Sequence, residues 1–390
     1  MKIALCYEAV LPARGGCETY ITDLMRRLSA DGHDVHLYAS RCDQAAMPSA
    51  VTVHRMPQFK GPRFLRPWLF GRACLDAMAR SEHDVTVGFD KTWGQDVLYP
   101  QGGLHVASAE HNLQKHRTAA ARLFASVAKR VDPAANAFRL LERRQYCDAR
   151  MPVIIANSRM VREHFRIAYG IAHDKVHIVP NAIHPSRFES SQRSQIRDDW
   201  RKKWSISDGD PVALFVAMNY RLKGLEPLLH AMRRVPESSS LRLLVVGNPL
   251  TRSFERLAQR LRVADRVVFH GFCADSRQAY FASDFLVHPT FYDPCSLVVL
   301  EALACGLPVV TSQYNGAAEL LEPAECGRVI DDPHDAERLA ECLMYFADSK
   351  NRLIASDAAR VAASRWTFDD HYRKIVDVLR IAAQRRAATS

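Results

Sequence analysis

The 390-residue sequence predicts an α/β protein of two domains, each a parallel sheet with helices on both faces. Three observations predict this class. The chain is longer than one ordinary domain, and short apolar segments alternate with helical segments from residue 2 onward. The alternation begins again after a polar, charged stretch near residues 190–198. We therefore expect two sheets of similar size, with a boundary close to that stretch.

The first half opens with the strand–helix–strand pattern of a parallel sheet. An apolar run at 2–6 is followed by a glycine-containing loop, a helical pattern over 18–30 that Gly32 ends, and a strand at 35–39. The same pattern predicts further strands at 85–89, 153–156 and 176–179.

The second half repeats this alternation, and a helical segment at 368–385 follows it. Its apolar runs predict strands at 212–217, 241–246, 267–269, 285–288 and 309–311. Helices are predicted between them at 225–234, 254–261, 276–282 and 297–304. The informative loops of such sheets are those that follow the strands, because ligands bind at the carboxyl ends of the strands.

The composition is that of a globular protein, with 48% hydrophobic and 25% charged residues. Ten cysteines are spread along the chain without a CxxC pair, which argues against a zinc ribbon or a secreted disulfide scaffold and fits a reducing cytoplasm. The N-terminal segment does not resemble a signal peptide, and no stretch approaches the ~18 apolar residues of a membrane span. We expect a cytoplasmic protein, soluble or peripheral on a membrane.

Most of the net charge of +10 lies in the first half, where residues 1–190 carry 26 Lys and Arg against 18 Asp and Glu. Two basic stretches, 60–72 and 115–150, mix these cations with aromatic and leucine residues. This mixture suits an anionic membrane surface or a phosphorylated glycolipid acceptor, although a solvated basic face would give the same pattern. Nucleic acid is not expected, because no recognised binding motif accompanies the charge. The sequence thus predicts docking on the inner face of the plasma membrane.

A glycine pair, Gly15 and Gly16, follows the first strand. Paired glycines let a backbone approach a phosphate at the N-terminus of the next helix, although a plain tight turn would look the same. The segment is not GxGxxG, and no acidic residue ends the second strand. Both features argue against an NAD-dependent oxidoreductase.

A basic loop follows the strand at 212–217 in the second half. Its residues Arg221 and Lys223 could neutralise a diphosphate, or could form a solvated basic turn.

The segment after the strand at 285–288 combines a helix start with two carboxylates. Pro294 suits the first helical position, which would leave N–H groups unpaired in the first turn. Asp293 and Glu301 could reach different parts of one extended ligand. The alternative is that Asp293 is an N-cap and Glu301 a surface charge, but a surface charge is a poor explanation within the apolar helix LVVLEALA.

Across essentially its whole length the sequence resembles glycosyltransferase family 4. Asp293-x7-Glu301 is similar to the family's E-x7-E motif, and EALACGLPVVTSQYNGAAELL is similar to the stretch after it. VPNAIHPSRF resembles the family's interdomain turn, and ANSRMVREHF the helix before it. VGFDKTWGQDVLYPQGG and the short R-x-K loop most resemble the lipopolysaccharide core glucosyltransferases that act on heptose.

The resemblance implies the GT-B architecture, in which two facing Rossmann-like domains enclose an interdomain cleft. It implies an acceptor-binding domain at 1–187 and a nucleotide-sugar-binding domain at 188–366. It also implies a C-terminal helix at 367–390 that packs back on the first domain.

The resemblance also implies a role for each candidate residue. The glycine pair lies near the donor phosphates, and Arg221 and Lys223 lie on the diphosphate, although their spacing is shorter than the family's common form. Asp293 binds the sugar hydroxyls, where the family usually has the longer glutamate, and Glu301 binds the ribose. The remaining residues implied are the backbone amides of Ser296, Leu297 and Val298, the base-contact loop Gly271–Phe272, and His105 close to the transferred sugar.

The implied activity is that of a retaining hexosyltransferase that uses a nucleotide sugar, with UDP-glucose as the expected donor, and acts on a saccharide or glycolipid of the lipopolysaccharide core or another cell-surface glycan. The departing diphosphate helps to deprotonate the acceptor hydroxyl, so no cofactor and no metal are expected.

Two alternatives remain open: a nucleotide-sugar epimerase on the same fold, and a non-catalytic protein that binds nucleotide sugars or anionic glycans. An epimerase would release sugar without an acceptor.

Overall fold

The computed structural model of the chain describes residues 1–12, 15–148, 150–321 and 325–388. Their contacts divide the chain into two compact units. The first unit contains Met1–Leu113, Thr118–Pro180 and Asp369–Ser390, and the second contains Gln114–Arg117 and Asn181–Phe368. Each unit has its own parallel sheet with helices, so the predicted pair of α/β domains is confirmed.

The first unit is built on a seven-stranded parallel sheet with the strand order β5-β3-β1-β6-β7-β8-β9. Two short strands, β2 and β4, pair separately. The strands are β1 (Lys2–Cys6), β2 (Ala9–Val10), β3 (Asp34–Ala39), β4 (Arg41–Cys42), β5 (Val51–Arg55), β6 (Val85–Phe89), β7 (Val97–Tyr99), β8 (Val153–Ala156) and β9 (Val176–Ile178).

The helices of the first unit lie between its strands. The first helix lies where the pattern over 18–30 predicts one, whereas the helices between residues 66 and 146 were not predicted. They are α1 (Gly16–Ala30), α2 (Arg66–Met78), α3 (His105–Gln114), α4 (Ala119–Val131), α5 (Pro133–Tyr146) and α6 (Arg159–Tyr169). Helix α6 shows why its ends fall where they do. The Ser158 side chain accepts a hydrogen bond from the N–H of Val161, and Gly170 ends the helix in the left-handed conformation with φ of 65°.

The second unit is built on a six-stranded parallel sheet with the order β12-β11-β10-β13-β14-β15. Its strands are β10 (Val212–Ala217), β11 (Arg242–Gly247), β12 (Val267–Gly271), β13 (Phe285–His288), β14 (Val309–Ser312) and β15 (Gly327–Ile330). Its helices are α7 (Arg193–Lys203), α8 (Leu225–Arg234), α9 (Arg252–Arg260), α10 (Arg277–Ala282), α11 (Leu297–Ala304), α12 (Ala336–Ala347) and α13 (Ser349–Arg365). The central strands β10 and β13 are almost fully buried, because helices cover both faces of the sheet.

The helix α11 has its predicted bounds, but Pro294 does not occupy the first helical position for which its residue type is suited. The helix begins at Leu297 after Ser296. The N–H of Asp293 donates to the Tyr314 carbonyl oxygen, and the N–H of Gly316 donates to that of Asp293. These bonds hold Asp293 in an extended bridge with Asn315, so the helix cannot start there.

The last helix, α14 (Phe368–Ala387), belongs almost entirely to the first unit. The imidazole of His371 is fully buried, with Nε2 2.8 Å from the Tyr20 hydroxyl and Nδ1 2.7 Å from the Pro180 carbonyl oxygen. Arg386 donates to the Asp96 carboxylate at 2.8 Å. Polar contacts thus fix α14 at both of its ends. Among the described residues no helix has the length and apolarity needed to cross a bilayer.

Four histidines of the first unit are held neutral chiefly by burial. Burial lowers the pKa of His83, His105, His164 and His371 to about 4 in each case. A histidine with a lowered pKa binds fewer protons in the folded chain than in the unfolded chain. The contribution of these histidines to the stability of the unit is therefore fully present above pH ~6.5 and is lost as the pH falls toward 4.

We predict that the first unit opens more readily at pH 5 than at pH 7, and that His83→Gln makes this dependence shallower. The glutamine cannot take up a proton, so the contribution of His83 is removed. Pulse proteolysis with peptide-level mass spectrometry measures the opening of each unit. The exposed His173 supplies the matched control, His173→Gln. Identical pH profiles for wild type and His83→Gln would contradict the prediction.

Candidate functional site

Two loops of the second unit approach each other closely at the carboxyl ends of β10 and β13. Gly224, at the N-terminus of α8, has a positive φ of 85°. A Cβ at this position would lie 2.1 Å from the carbonyl oxygen of Pro289. The N–H of Phe291 also donates to the carbonyl oxygen of Leu222. Only glycine permits this approach, which brings the basic loop against the loop that carries Asp293.

Lys223 and Asp293 form a largely buried ion pair at this contact. The Lys223 ammonium donates to Asp293 Oδ2 at 2.6 Å and to the Tyr292 carbonyl oxygen at 3.0 Å. Nε2 of the buried His288 lies 3.5 Å from the same carboxylate oxygen. Burial alone would raise the pKa of Asp293, but Lys223 and His288 hold it well below its usual range. The carboxylate is therefore ionised and can accept hydrogen bonds from ligand hydroxyls.

Arg221 lies in the same loop but is exposed, and its guanidinium has no ion pair or hydrogen bond within the described structure. The ammonium of Lys115 interacts electrostatically with the Arg221 guanidinium. Burial and the Arg221 guanidinium together lower the pKa of Lys115. Arg221 and Lys115 thus form a positive region that an anion would stabilise. Lys115 was predicted only as part of a basic surface stretch, because its distance in sequence from Arg221 gives no indication of their proximity.

The N-terminus of α11 offers fewer amides than the sequence suggested. The N–H of Ser296 donates to the Asn315 side-chain oxygen at 3.2 Å. Leu297 and Val298 occupy the first turn, where N–H groups have no acceptor within the helix, and no other described residue accepts from them. Two free amides therefore remain at this helix end, with the positive end of the helix dipole behind them.

Glu301 lies in the second turn of α11 and is held by a tyrosine that sequence reasoning missed. The hydroxyl of Tyr280 donates to Glu301 Oε2 at 2.6 Å. Burial raises the pKa of Glu301 to about 7, while Tyr280 and the nearby Arg187 act in the opposite direction. The side chain can thus change protonation near neutral pH. Nothing in the apolar pattern around Tyr280 distinguishes it from an ordinary core residue.

Gly271 is the last residue of the strand β12, and Phe272 follows it. Gly271 has a positive φ of 77°, and the Phe272 ring that follows is 60% exposed. An exposed ring beside a sheet edge provides a face on which a planar base can stack.

In the first unit, His105 begins α3, and its partner is the buried Glu142. The Glu142 carboxylate accepts the N–H groups of His105 and Val106, and the Tyr169 hydroxyl donates to it at 2.7 Å. A carboxylate at a helix N-terminus satisfies amides that otherwise lack acceptors. Glu142 therefore positions His105, whose lowered pKa keeps the ring neutral. The separation of 37 positions along the chain hides this contact from sequence analysis.

His105 lines a cavity of about 470 Å³ in the first unit, here called the acceptor pocket after the role that the family resemblance implies for this unit. Asp90 lines the same pocket with a positive φ of 49°, a conformation that only a minority of residues other than glycine adopt. Its Oδ1 accepts the N–H of Gly102 at 2.8 Å. Burial raises the pKa of Asp90. The other described lining residues are Tyr7, Glu8, Ala9, Glu18, Pro67, Phe70, Phe89, Lys91, Thr92, Gly103, Ser108, Phe138, Leu141, Glu142 and Gln145.

Gly15 and Gly16 form the N-terminus of α1. Gly15 is the N-cap in an extended conformation, and no side chain caps the helix. Its carbonyl oxygen accepts hydrogen bonds from the N–H and the hydroxyl of Thr19.

The candidate residues divide into two groups. Gly15, Gly16 and His105 belong to the first unit, and all the others belong to the second. Within the described ranges, no three His, Cys, Asp or Glu side chains converge as a metal site would require.

Two family models match consecutive halves of the chain. Residues 14–187 match the model described as glycosyltransferase family 4, and residues 196–361 match the model described as glycosyl transferases group 1. The chain is 26% identical over 382 residues to the lipopolysaccharide glucosyltransferase WaaG of Escherichia coli K12, with coverage of 97% of this chain and 98% of that protein. It is 30% identical over 245 residues to a D-inositol 3-phosphate glycosyltransferase of Xylanimonas cellulosilytica, covering 60% of this chain and 58% of that protein.

Solved structures show the same fold. The crystal structure of WaaG superposes with a TM-score of 0.80 at 25% identity, covering 97% of this chain and 99% of that one. A sucrose-phosphate synthase from Thermosynechococcus elongatus gives a TM-score of 0.76 at 20% identity, covering 99% of both chains. The second match bears on the fold alone.

We predict that Gly224→Ala destabilises the second unit by roughly 1–3 kcal/mol or more, because it combines a positive φ with a backbone clash. Gly209→Ala is the matched control, since the Cβ of an alanine there would have no other atom within 4 Å and the φ of Gly209 is ordinary. Urea unfolding and peptide-level proteolysis measure the change. Equal stability of the two variants would contradict the close approach of the loops.

Proposed function

This chain belongs to glycosyltransferase family 4, and from that premise we propose that it transfers glucose from UDP-glucose to a saccharide or glycolipid of the lipopolysaccharide core type, with retention of configuration. The observation that carries this proposal is the Lys223–Asp293 ion pair of the donor-binding unit. The similarity to a lipopolysaccharide glucosyltransferase over nearly the full length of both chains supports the choice of sugar and acceptor.

The donor diphosphate would be bound by positive groups of the second unit. Lys223, Arg221 and the free amides of α11 supply fixed positive charge without a metal ion. Negative charge grows on the diphosphate as its bond to the sugar breaks, so these groups stabilise the transition state more than the ground state. This differential stabilisation is the source of the rate enhancement.

The sugar and the ribose would be held by the two carboxylates of the motif. The ionised Asp293 accepts hydrogen bonds from sugar hydroxyls, and its position is fixed by Lys223. Glu301 accepts from the ribose hydroxyls, and Tyr280 holds the carboxyl in place. Phe272 offers its ring to the base. The acceptor hydroxyl attacks from the face that the diphosphate leaves, and a diphosphate oxygen takes its proton.

The experiment that tests this function is a donor panel with product analysis. The protein is incubated with UDP-glucose, UDP-N-acetylglucosamine or GDP-mannose and a lipopolysaccharide-core extract, with and without excess EDTA. We expect glucose transfer with an α-linkage from the α-linked donor, unchanged by EDTA. Inversion, or loss of activity on chelation that Mg²⁺ restores, would overturn the proposed mechanism. Release of an epimerised sugar in the absence of an acceptor would overturn the assignment of the protein as a transferase.

Contact with an anionic membrane is proposed for helix α4 of the first unit. None of its 13 residues is buried. Leu123 and Phe124 are 68% and 79% exposed, and Val127 and Val131 extend the same stripe at helical spacing. Lys129 and Arg130 occupy the last turn beside it. An apolar stripe flanked by cations suits the interface of an anionic bilayer.

The other predicted basic stretch, 60–72, is less suited to this role. Phe70 is buried in the core of the first unit, and Arg72 is paired with Asp76. The apolar residues Leu65 and Leu69 are only partly exposed. We therefore assign membrane contact to α4.

We predict that Lys223→Ala lowers kcat/KM by roughly 10²-fold or more, because it removes a charge that stabilises the leaving group. Glu301→Ala should mainly weaken UDP binding, since the ribose contact is similar in ground and transition states. Steady-state kinetics and UDP titration measure the two effects. Lys350→Ala, at an exposed position of α13, is the control. Wild-type rates and UDP affinity in both variants would contradict the site.

We predict that the double variant Leu123→Ser/Phe124→Ser loses at least roughly 10-fold in affinity for anionic vesicles, because two large side chains no longer enter the interface. Co-sedimentation with anionic and neutral vesicles at low and high salt measures binding. Leu353→Ser/Ile354→Ser, at similarly exposed positions of α13, is the matched control. Recovery of the wild-type protein in the supernatant with anionic vesicles at low salt would rule out direct docking.

A further inference from the structure

A second cavity adjoins the acceptor pocket and differs from it in charge. It has a volume of about 450 Å³, which is within the usual range of ligand-binding clefts, and is here called the basic cavity. Its described lining carries four cationic side chains and one carboxylate. The lining residues are Glu8, Arg41, Arg63, Arg66, Pro67, Lys91, Ala134 and Phe138.

The three guanidinium groups of this cavity have no partner within the described part of the chain. Arg41, Arg63 and Arg66 form no ion pair and no side-chain hydrogen bond there, and Nε of Arg66 is buried. Nine other arginines of the first unit, among them Arg26 and Arg72, are paired with nearby carboxylates. Three unpaired guanidinium groups around one cavity create a site that favours an anion with several oxygen acceptors.

Helix α2 contributes a second, independent feature. Its 13 residues begin at Arg66, and both Arg66 and Pro67 line the basic cavity. The N-cap residue Leu65 has no polar side chain and makes no capping hydrogen bond to the first turn, in which Pro67 has no N–H and Arg66 and Trp68 supply the amides. The positive end of the helix dipole therefore lies at the cavity wall.

Lys91 and Phe138 stand between this cavity and the acceptor pocket. The Lys91 ammonium lies 3.6 Å from the centroid of the Phe138 ring. Both residues line both cavities, as do Glu8 and Pro67. The two cavities therefore share a wall, and the basic cavity is the immediate neighbour of a ligand in the acceptor pocket.

We propose that the basic cavity binds a phosphomonoester carried by the acceptor glycan, on the sugar in the acceptor pocket or on its neighbour. The inference rests on the proposed function, since it takes the acceptor pocket as the place where the accepting sugar binds. A phosphomonoester offers three oxygens and nearly two negative charges, which three guanidinium groups and a helix N-terminus match better than a single carboxylate does. The shared wall of the two cavities favours a phosphate on the acceptor over a lipid headgroup.

The test compares one core glycan before and after phosphatase treatment. Binding is measured by calorimetry without donor, and transfer is measured by kcat and KM with UDP-glucose. We expect the wild-type protein to bind the phosphorylated glycan roughly 10- to 100-fold more tightly, as expected for charge-assisted hydrogen bonds. The difference should appear in KM, because the phosphate is remote from the reacting atoms.

The variants Arg63→Gln and Arg66→Gln should reduce that preference to about 3-fold or less and leave kcat on the dephosphorylated glycan unchanged. Arg72→Gln is the matched control, since Arg72 lies on the same helix, is 71% exposed and pairs with Asp76. It should keep the wild-type preference. Inorganic phosphate at millimolar concentration should compete with the phosphorylated glycan in the wild-type protein and not in the two variants.

Equal binding of the two glycans by the wild-type protein would overturn the proposal. An equal loss of affinity for both glycans in the variants would overturn it too, because that result would indicate a structural role. Loss of anionic-vesicle binding in these variants, without glycan discrimination, would assign the cavity to a lipid headgroup instead. Absence of transfer to any glycan would overturn the proposed function, whereas the calorimetric comparison would still decide the phosphate site.

Discussion

The ion pair between Lys223 and Asp293 is the contact on which the candidate donor site depends. Neither group could be buried alone, because an unpaired charge away from water is strongly destabilising. The pair therefore requires the two loops to stay together, and Gly224 makes this approach sterically feasible. A ligand that binds Lys223 and Asp293 must replace the contact that they make with each other. A diphosphate joined to a sugar can do so, because it offers an anion to Lys223 and hydroxyls to Asp293.

In the first unit, the buried charge and the charges that face a cavity belong to different residues. Its acceptor pocket contains Asp90 and the neutral His105, which are groups suited to orient hydroxyls. Glu142 is buried behind His105, where helix amides and a tyrosine hydroxyl satisfy it. The basic cavity beside the pocket keeps its guanidinium groups unpaired. In this unit the buried Glu142 is thus satisfied by its neighbours, whereas the guanidinium groups of the basic cavity remain available to a ligand.

The sequence predicted elements better than contacts. Ten of the strands and helices such as α1, α8 and α11 follow from apolar periodicity, whereas β5, β15 and the helices α2 to α5 were not predicted. The motif residues of the second unit follow from their place after strands. Pro294 does not occupy the first helical position, because the bridge between Asp293 and Asn315 overrides the local preference of proline. The Ser296 amide is taken by Asn315, a residue 19 positions away. Tyr280 and Glu142 were missed for the same reason, since tertiary partners of a site leave no periodic pattern in the sequence.

Helix α14 has a consequence for the order in which the protein is made. It supplies His371 to the hydrogen bonds with Tyr20 and Pro180, yet it follows the whole second unit along the chain. On the ribosome, the first unit must wait for about half of the polypeptide to be translated before it gains this helix. During that interval the surface that α14 later covers is open to water and to chaperones. The domain translated first is therefore the one completed last.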